Sequence, residues 1–363
     1  MTTQDATEGA TEGVTQHATE GAPQGEAEDR LPPEARQLVD LITSVFPDLG
    51  GTVTDAAEAR RILSAQPRPP WAPPEVGSVE DRTIPGPDGE PEIPVRVYLP
   101  DPAAAPGSRP TVLFLHGGGF VIGDLESHDN TARGLCREAG AAVVAVDYRL
   151  APEHPFPAGV RDAYAALRWT AAHAAELGGD PAALVVAGDS AGGNLCAVIA
   201  QQARDEGGPA VALQVLIYPA TDISRPWPSL TRNASGYFLS RAHMKWFGQQ
   251  YLAAGGDPAD PKISPLLGEL AGLPPAHIVT AGCDPLCDEG LAYAERLREA
   301  GVQVTEAHFP RMFHGFFGFP QALTDAREAL EGAAAAIAAT TARTTPEAGD
   351  GRKNFGDQGG LAG

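Results

Sequence analysis

The serine in Gly188-Asp189-Ser190-Ala191-Gly192 follows the apolar run Leu184-Val185-Val186-Ala187 and precedes a helix-compatible stretch from Leu195 to Ala203. The G-x-S-x-G order between strand and helix puts a serine on a sharp, strained turn, its hydroxyl exposed above a sheet. Gly188 and Gly192 suit that geometry because strand and helix approach too closely there for a Cβ. Such a hydroxyl can attack a carbonyl if a base takes its proton and donors hold the oxyanion that forms.

Donors are offered upstream, where Val112 to Asp124 reads V-L-F-L-H-G-G-G-F-V-I-G-D. Three successive glycines after a buried strand are entropically costly, which points to a backbone role. The amides of Gly117 and Gly118 are expected to turn toward a ligand. Ala191, directly after the nucleophile at a helix N-terminus, is the natural third donor. A plain flexible glycine loop is the competing reading.

Nine histidines compete for the role of base. His17 lies in a low-complexity arm, and His173 and His243 fall in helical patterns. His277 and His308 sit in or beside strand patterns, where core or edge histidines are usual, and His116 suits anchoring of the glycine loop. His128 and His154, in loops or helix starts, remain possible pocket residues. His314 follows an expected strand, Val302–His308, in the loop Phe309–Phe316, and such a loop is where open α/β sheets carry their chemistry. Its acidic partner is expected at Asp284, which ends the strand His277–Ala281 and is kept from helical conformation by Pro285. Asp288 and Glu289 begin the next helix and are read as favourable charges at its N-terminus. The resulting order is Ser190, Asp284, His314.

The elements that must position these groups alternate. Expected strands are Thr111–Leu115, Ala142–Asp147, Leu184–Ala187, Leu213–Tyr218, His277–Ala281 and Val302–His308, preceded by an antiparallel pair near Ser78–Ile84 and Ile93–Tyr98. Helices are expected at Ser127–Ala139, Val160–Leu177, Ala191–Asp205, Asp288–Ala300 and Pro320–Ala339, with two more at Pro33–Phe46 and Thr54–Ser64. Continuous apolar strands of this kind belong to a sheet covered on both faces, an α/β fold. One stretch, Tyr218 to Leu273, breaks the alternation and carries Trp227, Tyr237, Phe238, Met244, Trp246, Phe247 and Tyr251. Its residues fit equally a helical insertion with its own small core and a lid over a substrate pocket.

The 363 residues suffice for one large domain and an accessory element. A formal net charge of −21 leaves no basic face for nucleic acid and a poor fit to anionic membranes. No run approaches the roughly 18 apolar residues of a membrane span, and no secretory leader is evident. Cys136, Cys196, Cys283 and Cys287 show neither metal-ligand nor disulfide spacing, so buried free thiols and a cytoplasmic location are expected. Residues 1–30, with Ala-Thr-Glu-Gly repeats, and 341–363 are expected to be disordered.

The set His116-Gly117-Gly118-Gly119, Tyr148-Arg149-Leu150-Ala151-Pro152-Glu153, Gly188-Asp189-Ser190-Ala191-Gly192-Gly193, Asp284-Pro285-Leu286 and His314-Gly315-Phe316 resembles the hormone-sensitive-lipase-like esterases, the bacterial family IV branch of the α/β-hydrolases. The resemblance runs from about Leu31 to Ala339. It implies a mostly parallel eight-stranded sheet flanked by helices, with a helical cap from residues 31–75 and 221–272 over a core of 76–220 and 273–340. It also implies a carboxylesterase of short- to medium-chain acyl esters, with no metal and no organic cofactor. Ser190 would be nucleophile, Asp284 and His314 its partners, and Gly117, Gly118 and Ala191 the oxyanion hole. Phe120, where many relatives carry tryptophan, is expected to shape the substrate-binding pocket with Tyr218, Phe238 and Phe316. The expected partner is a small-molecule ester, with no nucleic acid and no membrane, and a homodimer is possible. Two other readings stay open: an amidase or deacetylase of a small molecule, and a non-catalytic binding module on the same fold.

Overall fold

The computed structural model describes residues 30–66, 71–101 and 107–344. The low-complexity arm (apart from Arg30) and the tail beyond residue 344 lie outside the described residues.

Eight strands form one sheet: β1 (Ser78–Ile84), β2 (Ile93–Leu99), β3 (Arg109–Leu115), β4 (Ala142–Val146), β5 (Gly179–Asp189), β6 (Leu213–Ile217), β7 (Ala276–Cys283) and β8 (Val304–Phe313). Their order is β1-β2-β4-β3-β5-β6-β7-β8. The β1–β2 and β2–β4 pairs are antiparallel, and every pair from β4 through β8 is parallel. Side chains alternate between faces with period two. Leu113, Leu115, Val144, Val146, Leu184 and Val186 therefore enter one apolar cluster, and Val112, Phe114, Val143, Ala145, Val185 and Ala187 enter the other.

Helices cover both faces. Those after the two N-terminal helices α1 (Pro33–Val45) and α2 (Ala56–Ser64) are α3 (Asp129–Ala139), α4 (Ala158–His173), α5 (Ala191–Glu206), the short α6 (Pro228–Arg232), α7 (Arg241–Tyr251), α8 (Cys287–Glu299) and α9 (Thr324–Thr344). Residues of α4, α5 and α8 join the first cluster, and those of α3 and α9 the second. None of the described helices is long and apolar enough to cross a membrane.

The segment that breaks the alternation lies against the N-terminal helical region. Trp246 Nε1 donates to the Thr54 carbonyl at 3.0 Å, Arg36 donates to the Gly236 carbonyl at 2.7 Å, and the rings of Phe46 and Phe238 meet edge-on at 5.0 Å.

Element ends depart from expectation most in the last two strands. β8 continues past His308 through Pro310 to Phe313, and β7 continues to Cys283. A proline is tolerated there because β8 is an edge strand, paired among the described residues with β7 alone. The register shifts between Ala281 and Cys283. A Cβ on the intervening Gly282 would lie 2.2 Å from the Pro310 carbonyl oxygen. Asp284 and His314 thus follow directly on two adjacent strand ends instead of hanging in longer loops.

Candidate active site

At the end of β5, Ser190 has φ 55° and ψ −116°. This positive-φ conformation is held from both sides of the peptide. Its amide donates to the Ile217 carbonyl at 2.8 Å, and its carbonyl accepts from the amides of Asn194 at 3.0 Å and Ala220 at 3.3 Å. A Cβ at Gly192 would sit 1.9 Å from the Leu115 carbonyl oxygen, and one at Gly188 would sit 2.6 Å from that same oxygen. Backbones of β3, β5 and α5 therefore touch at the turn, which is the physical reason for both glycines.

His314, buried, reaches the turn from the end of β8. Its Nε2 lies 2.9 Å from Ser190 Oγ and its Nδ1 lies 2.7 Å from Asp284 Oδ2. With the Nδ1 proton directed at the carboxylate, Nε2 carries the lone pair and accepts from the serine hydroxyl. Asp284, fully buried at the end of β7, is itself held: Oδ1 accepts from the Leu286 amide at 2.8 Å. Its main-chain carbonyl also accepts from Asn233 Nδ2 at 2.8 Å. Asn233 ends α6, so the broken-alternation segment supports the carboxylate loop.

The glycine loop corrects the expected donor set. The amide of Gly117 donates to Asp189 Oδ1 at 3.0 Å and is not free for a ligand. By contrast, the amides of Gly118, Gly119 and Ala191 have no protein acceptor among the described residues. Gly118 and Gly119 have φ of 119° and 60°, which turns successive N–H groups to one side and requires glycine. His116 anchors the loop, with Nδ1 2.7 Å from the Gly117 carbonyl oxygen, while its own carbonyl accepts from Tyr148 Oη at 2.7 Å.

The aromatic side chains expected at a pocket behave differently from one another. Phe316 is 0% exposed in the second core cluster, and Phe120 is 8% exposed, stacked on Tyr251 with centroids 3.9 Å apart. Both rings are buried among other rings and aliphatic chains. Tyr218 is buried against the imidazole of His314, with ring centroids 4.7 Å apart. Phe238 alone of the four is half-buried, and a Cβ on Gly315 would lie 3.7 Å from its ring.

Three features escaped sequence reasoning. Phe247 of α7 lies over the glycine loop, so close that a Cβ on Gly119 would fall 2.3 Å from its Cγ. With Met244 it packs on a small third apolar cluster, Ala220, Leu239 and Leu286, beside Ser190 and Asp284. Asp288 and Glu289, read as charges favouring their own helix, instead reach outward. Asp288 accepts from the Ser229 amide at 2.8 Å and pairs with Arg232. Glu289, buried, accepts from the Thr221 amide at 2.7 Å. Burial pushes its carboxyl well above the usual range, against the opposing pull of those amide hydrogen bonds. The acidic pair at a helix start was the only signal, and it has an ordinary explanation in any helix. Among the described residues, no group of three or more His, Cys, Asp or Glu could hold a metal ion.

A serine–imidazole–carboxylate chain at the carboxyl ends of parallel strands, its imidazole and carboxylate buried, is the arrangement of the α/β-hydrolase class. A family model for the alpha/beta hydrolase fold matches residues 112–318. Carboxylesterase NlhH of Mycobacterium tuberculosis (strain ATCC 25618 / H37Rv) is 44% identical over 310 residues, 84% of this chain and 96% of the relative. Ethyl acetate hydrolase of Pseudomonas putida is 43% identical over 261 residues, 70% of this chain and 81% of the relative. The crystal structure of ester-hydrolase EH1AB1 from the metagenome of Lake Arreo, complexed with a bipyridine phosphonate derivative, superposes with a TM-score of 0.78 at 44% identity. That match covers 85% of this chain and 98% of the other. The chain belongs to the hormone-sensitive-lipase-like, family IV carboxylesterases of the α/β-hydrolase superfamily and is a carboxylic ester hydrolase.

Proposed function

We propose that Ser190 is the nucleophile of this esterase, His314 its general base and acid, and Asp284 the carboxylate that orients and stabilises the imidazolium. The observation that carries the reading is the hydrogen-bonded chain from Ser190 Oγ through His314 to Asp284 Oδ2, at 2.9 and 2.7 Å. As the hydroxyl attacks the ester carbonyl, its proton passes to Nε2, and the tetrahedral oxyanion is received by the amides of Gly118, Gly119 and Ala191. Collapse breaks the bond between the acyl carbon and the alkoxy oxygen, and His314 gives the proton to the departing alcohol. Water, deprotonated by His314, then cleaves the acyl-enzyme and restores Ser190.

The acyl group is assigned to the cluster of Ala220, Leu239, Leu286, Met244 and Phe247. Ala220 donates its amide to the Ser190 carbonyl, and Leu286 follows Asp284 by two residues. Close packing among these side chains favours short acyl chains, and the ethyl acetate hydrolase relative accords with that. The N-terminal helices and residues 221–272 are assigned to a cap, on the strength of the Trp246, Arg36 and Phe46 contacts. The edge strand β8 offers a homodimer contact. Four buried cysteines accord with a cytoplasmic location.

Ser190→Ala is expected to abolish turnover of p-nitrophenyl butyrate and labelling by a fluorophosphonate probe. Retention of most activity would overturn the assignment. Parallel assay of matched p-nitrophenyl esters and p-nitroanilides, with the ester turned over faster, distinguishes esterase from amidase chemistry.

A further inference from the structure

Beside the triad lies a second carboxylate–imidazole pair that the proposed mechanism does not use. Asp189, immediately before the nucleophile, is buried and reaches the glycine loop. Its Oδ1 accepts from the Gly117 amide at 3.0 Å and lies 3.4 Å from His128 Nε2. A Cβ at Gly117 would fall 2.3 Å from Asp189 Oδ2, so loop and carboxylate are in close contact.

Both nitrogens of His128 face acceptors. Nε2 faces the carboxylate, and Nδ1 lies 3.0 Å from Ser127 Oγ. That hydroxyl donates to the Asp124 carbonyl at 2.9 Å, which leaves its lone pairs for the imidazole and the Asp124 amide. Two acceptors suit an imidazolium, since a neutral ring has only one N–H. The groups facing His128 are Asp189 from the end of β5, Asp124 and Ser127 from its own loop, and His116 from the end of β3, 5.4 Å between ring centroids. Burial works against the charge on His128, but Asp189 and Asp124 outweigh it and raise its affinity for the proton. Burial and the charge on His128 push His116 down to about 4. Of the two facing imidazoles, His128 is therefore the one that binds a proton more readily.

We propose that Asp189 is a positioning residue that clamps the Gly117 amide so that the next two amides are aimed at the oxyanion, and that His128 is its counter-ion. The inference rests on the esterase reading above. An uncompensated buried carboxylate beside the nucleophile would repel the developing oxyanion, and removing one partner of such a pair leaves the other uncompensated. His128 therefore contributes twice: it fixes the carboxylate in place and cancels its charge.

The test compares Asp189→Ala, Asp189→Asn and His128→Gln with the wild type, using p-nitrophenyl butyrate and a trifluoromethyl ketone that forms an oxyanion adduct with the serine. Asp189→Ala is expected to lower kcat roughly 10- to 100-fold with little change in KM, since misaimed donors act on the transition state. Affinity for the trifluoromethyl ketone falls in parallel, and Asp189→Asn, which keeps an acceptor for Gly117, recovers part of both. The wild type loses kcat as pH rises and His128 gives up its proton. His128→Gln, at a half-buried position that spares the fold, lowers kcat at acidic pH and removes that alkaline decline. An Asp189→Ala enzyme with kcat within about twofold of wild type, or with unaltered affinity for the ketone, overturns the proposal. So does Asp189→Asn no better than Asp189→Ala, or an unchanged pH profile in His128→Gln. Failure of the inference leaves a Ser190-dependent acyl-enzyme burst intact, whereas failure of the esterase reading removes the burst itself.

Discussion

Ser190 occupies a backbone conformation that costs a non-glycine residue about 1–3 kcal/mol, and persists only where its surroundings over-determine it. Three backbone hydrogen bonds, to Ile217, Asn194 and Ala220, do so here. Glu289 is part of the same scaffold, because it holds the Thr221 amide one residue beyond Ala220. Its carboxyl has an ordinary value of 4.5 and is raised by burial in the folded chain. Above 4.5 the folded state therefore keeps a proton that the unfolded state has released, so stability falls as pH rises toward the raised value. Glu289→Gln keeps an acceptor for Thr221 and loses that slope. Melting temperatures recorded from about pH 5 to about pH 8 are expected to decline in the wild type and to stay level in the variant with respect to this group. The interior position of Phe316 leads to a separate expectation. Phe316→Ala should cost about 3–5 kcal/mol of stability, as truncation of a buried ring does. A loss under about 1 kcal/mol in denaturant unfolding would place that ring outside the core.

Among the elements, α7 joins the N-terminal region to the glycine loop. Trp246 ties it to the N-terminal region at Thr54, Tyr251 stacks on Phe120, and Phe247 lies over Gly119. Phe247 and Tyr251, four residues apart, meet the glycine loop from one side of the helix, and the adjacent Trp246 meets the N-terminal region from the next. Because Phe247 also borders the third apolar cluster, its removal is expected to lengthen the acyl site. Phe247→Ala should raise kcat/KM for p-nitrophenyl octanoate relative to butyrate by roughly 10-fold or more, the scale on which hydrophobic pockets discriminate methylenes. An unchanged ratio across a chain-length series would remove Phe247 from the acyl site. The same closeness makes Gly119 intolerant of a side chain: Gly119→Ala meets both a left-handed φ of 60° and the Phe247 ring. Adding Phe247→Ala relieves only the second of these, so the double variant is expected to regain part of the activity that Gly119→Ala loses in the same assay.

Across the whole molecule, the site draws on the carboxyl ends of β3, β5, β7 and β8 in a single sheet whose two faces carry separate apolar clusters. No one strand holds enough of the site to preserve it alone. Esterase activity and the near-ultraviolet circular dichroism of the core are accordingly expected to disappear with one midpoint in denaturant. A midpoint for activity well below that of the core would show that the site can come apart while the sheet persists.

The strands and helices of the sheet were legible in the sequence because they rest on local signals, continuous apolar runs and glycines where backbones touch, and similar signals put Ser190, Asp284 and His314 at strand ends, where their side chains lie within hydrogen-bond reach. What the sequence could not order was the traffic between elements. It offered Gly117 as a free donor, since nothing local reveals that a carboxylate 72 residues away accepts its proton. How deeply Phe120 and Phe316 are buried was not legible either, because aromatic residues near a strand-end serine look alike in sequence whether they turn inward or outward. Asp288 and Glu289 looked like favourable helix-start charges, while their partners lie about 60 residues earlier, at Thr221, Ser229 and Arg232. Reactive chemistry could be read from residue type and spacing because a strand-end serine, its base and its acid each carry a local signature. Which amide is free, which ring is buried and which carboxylate is compensated depend on contacts between distant segments, and only tertiary packing decides those.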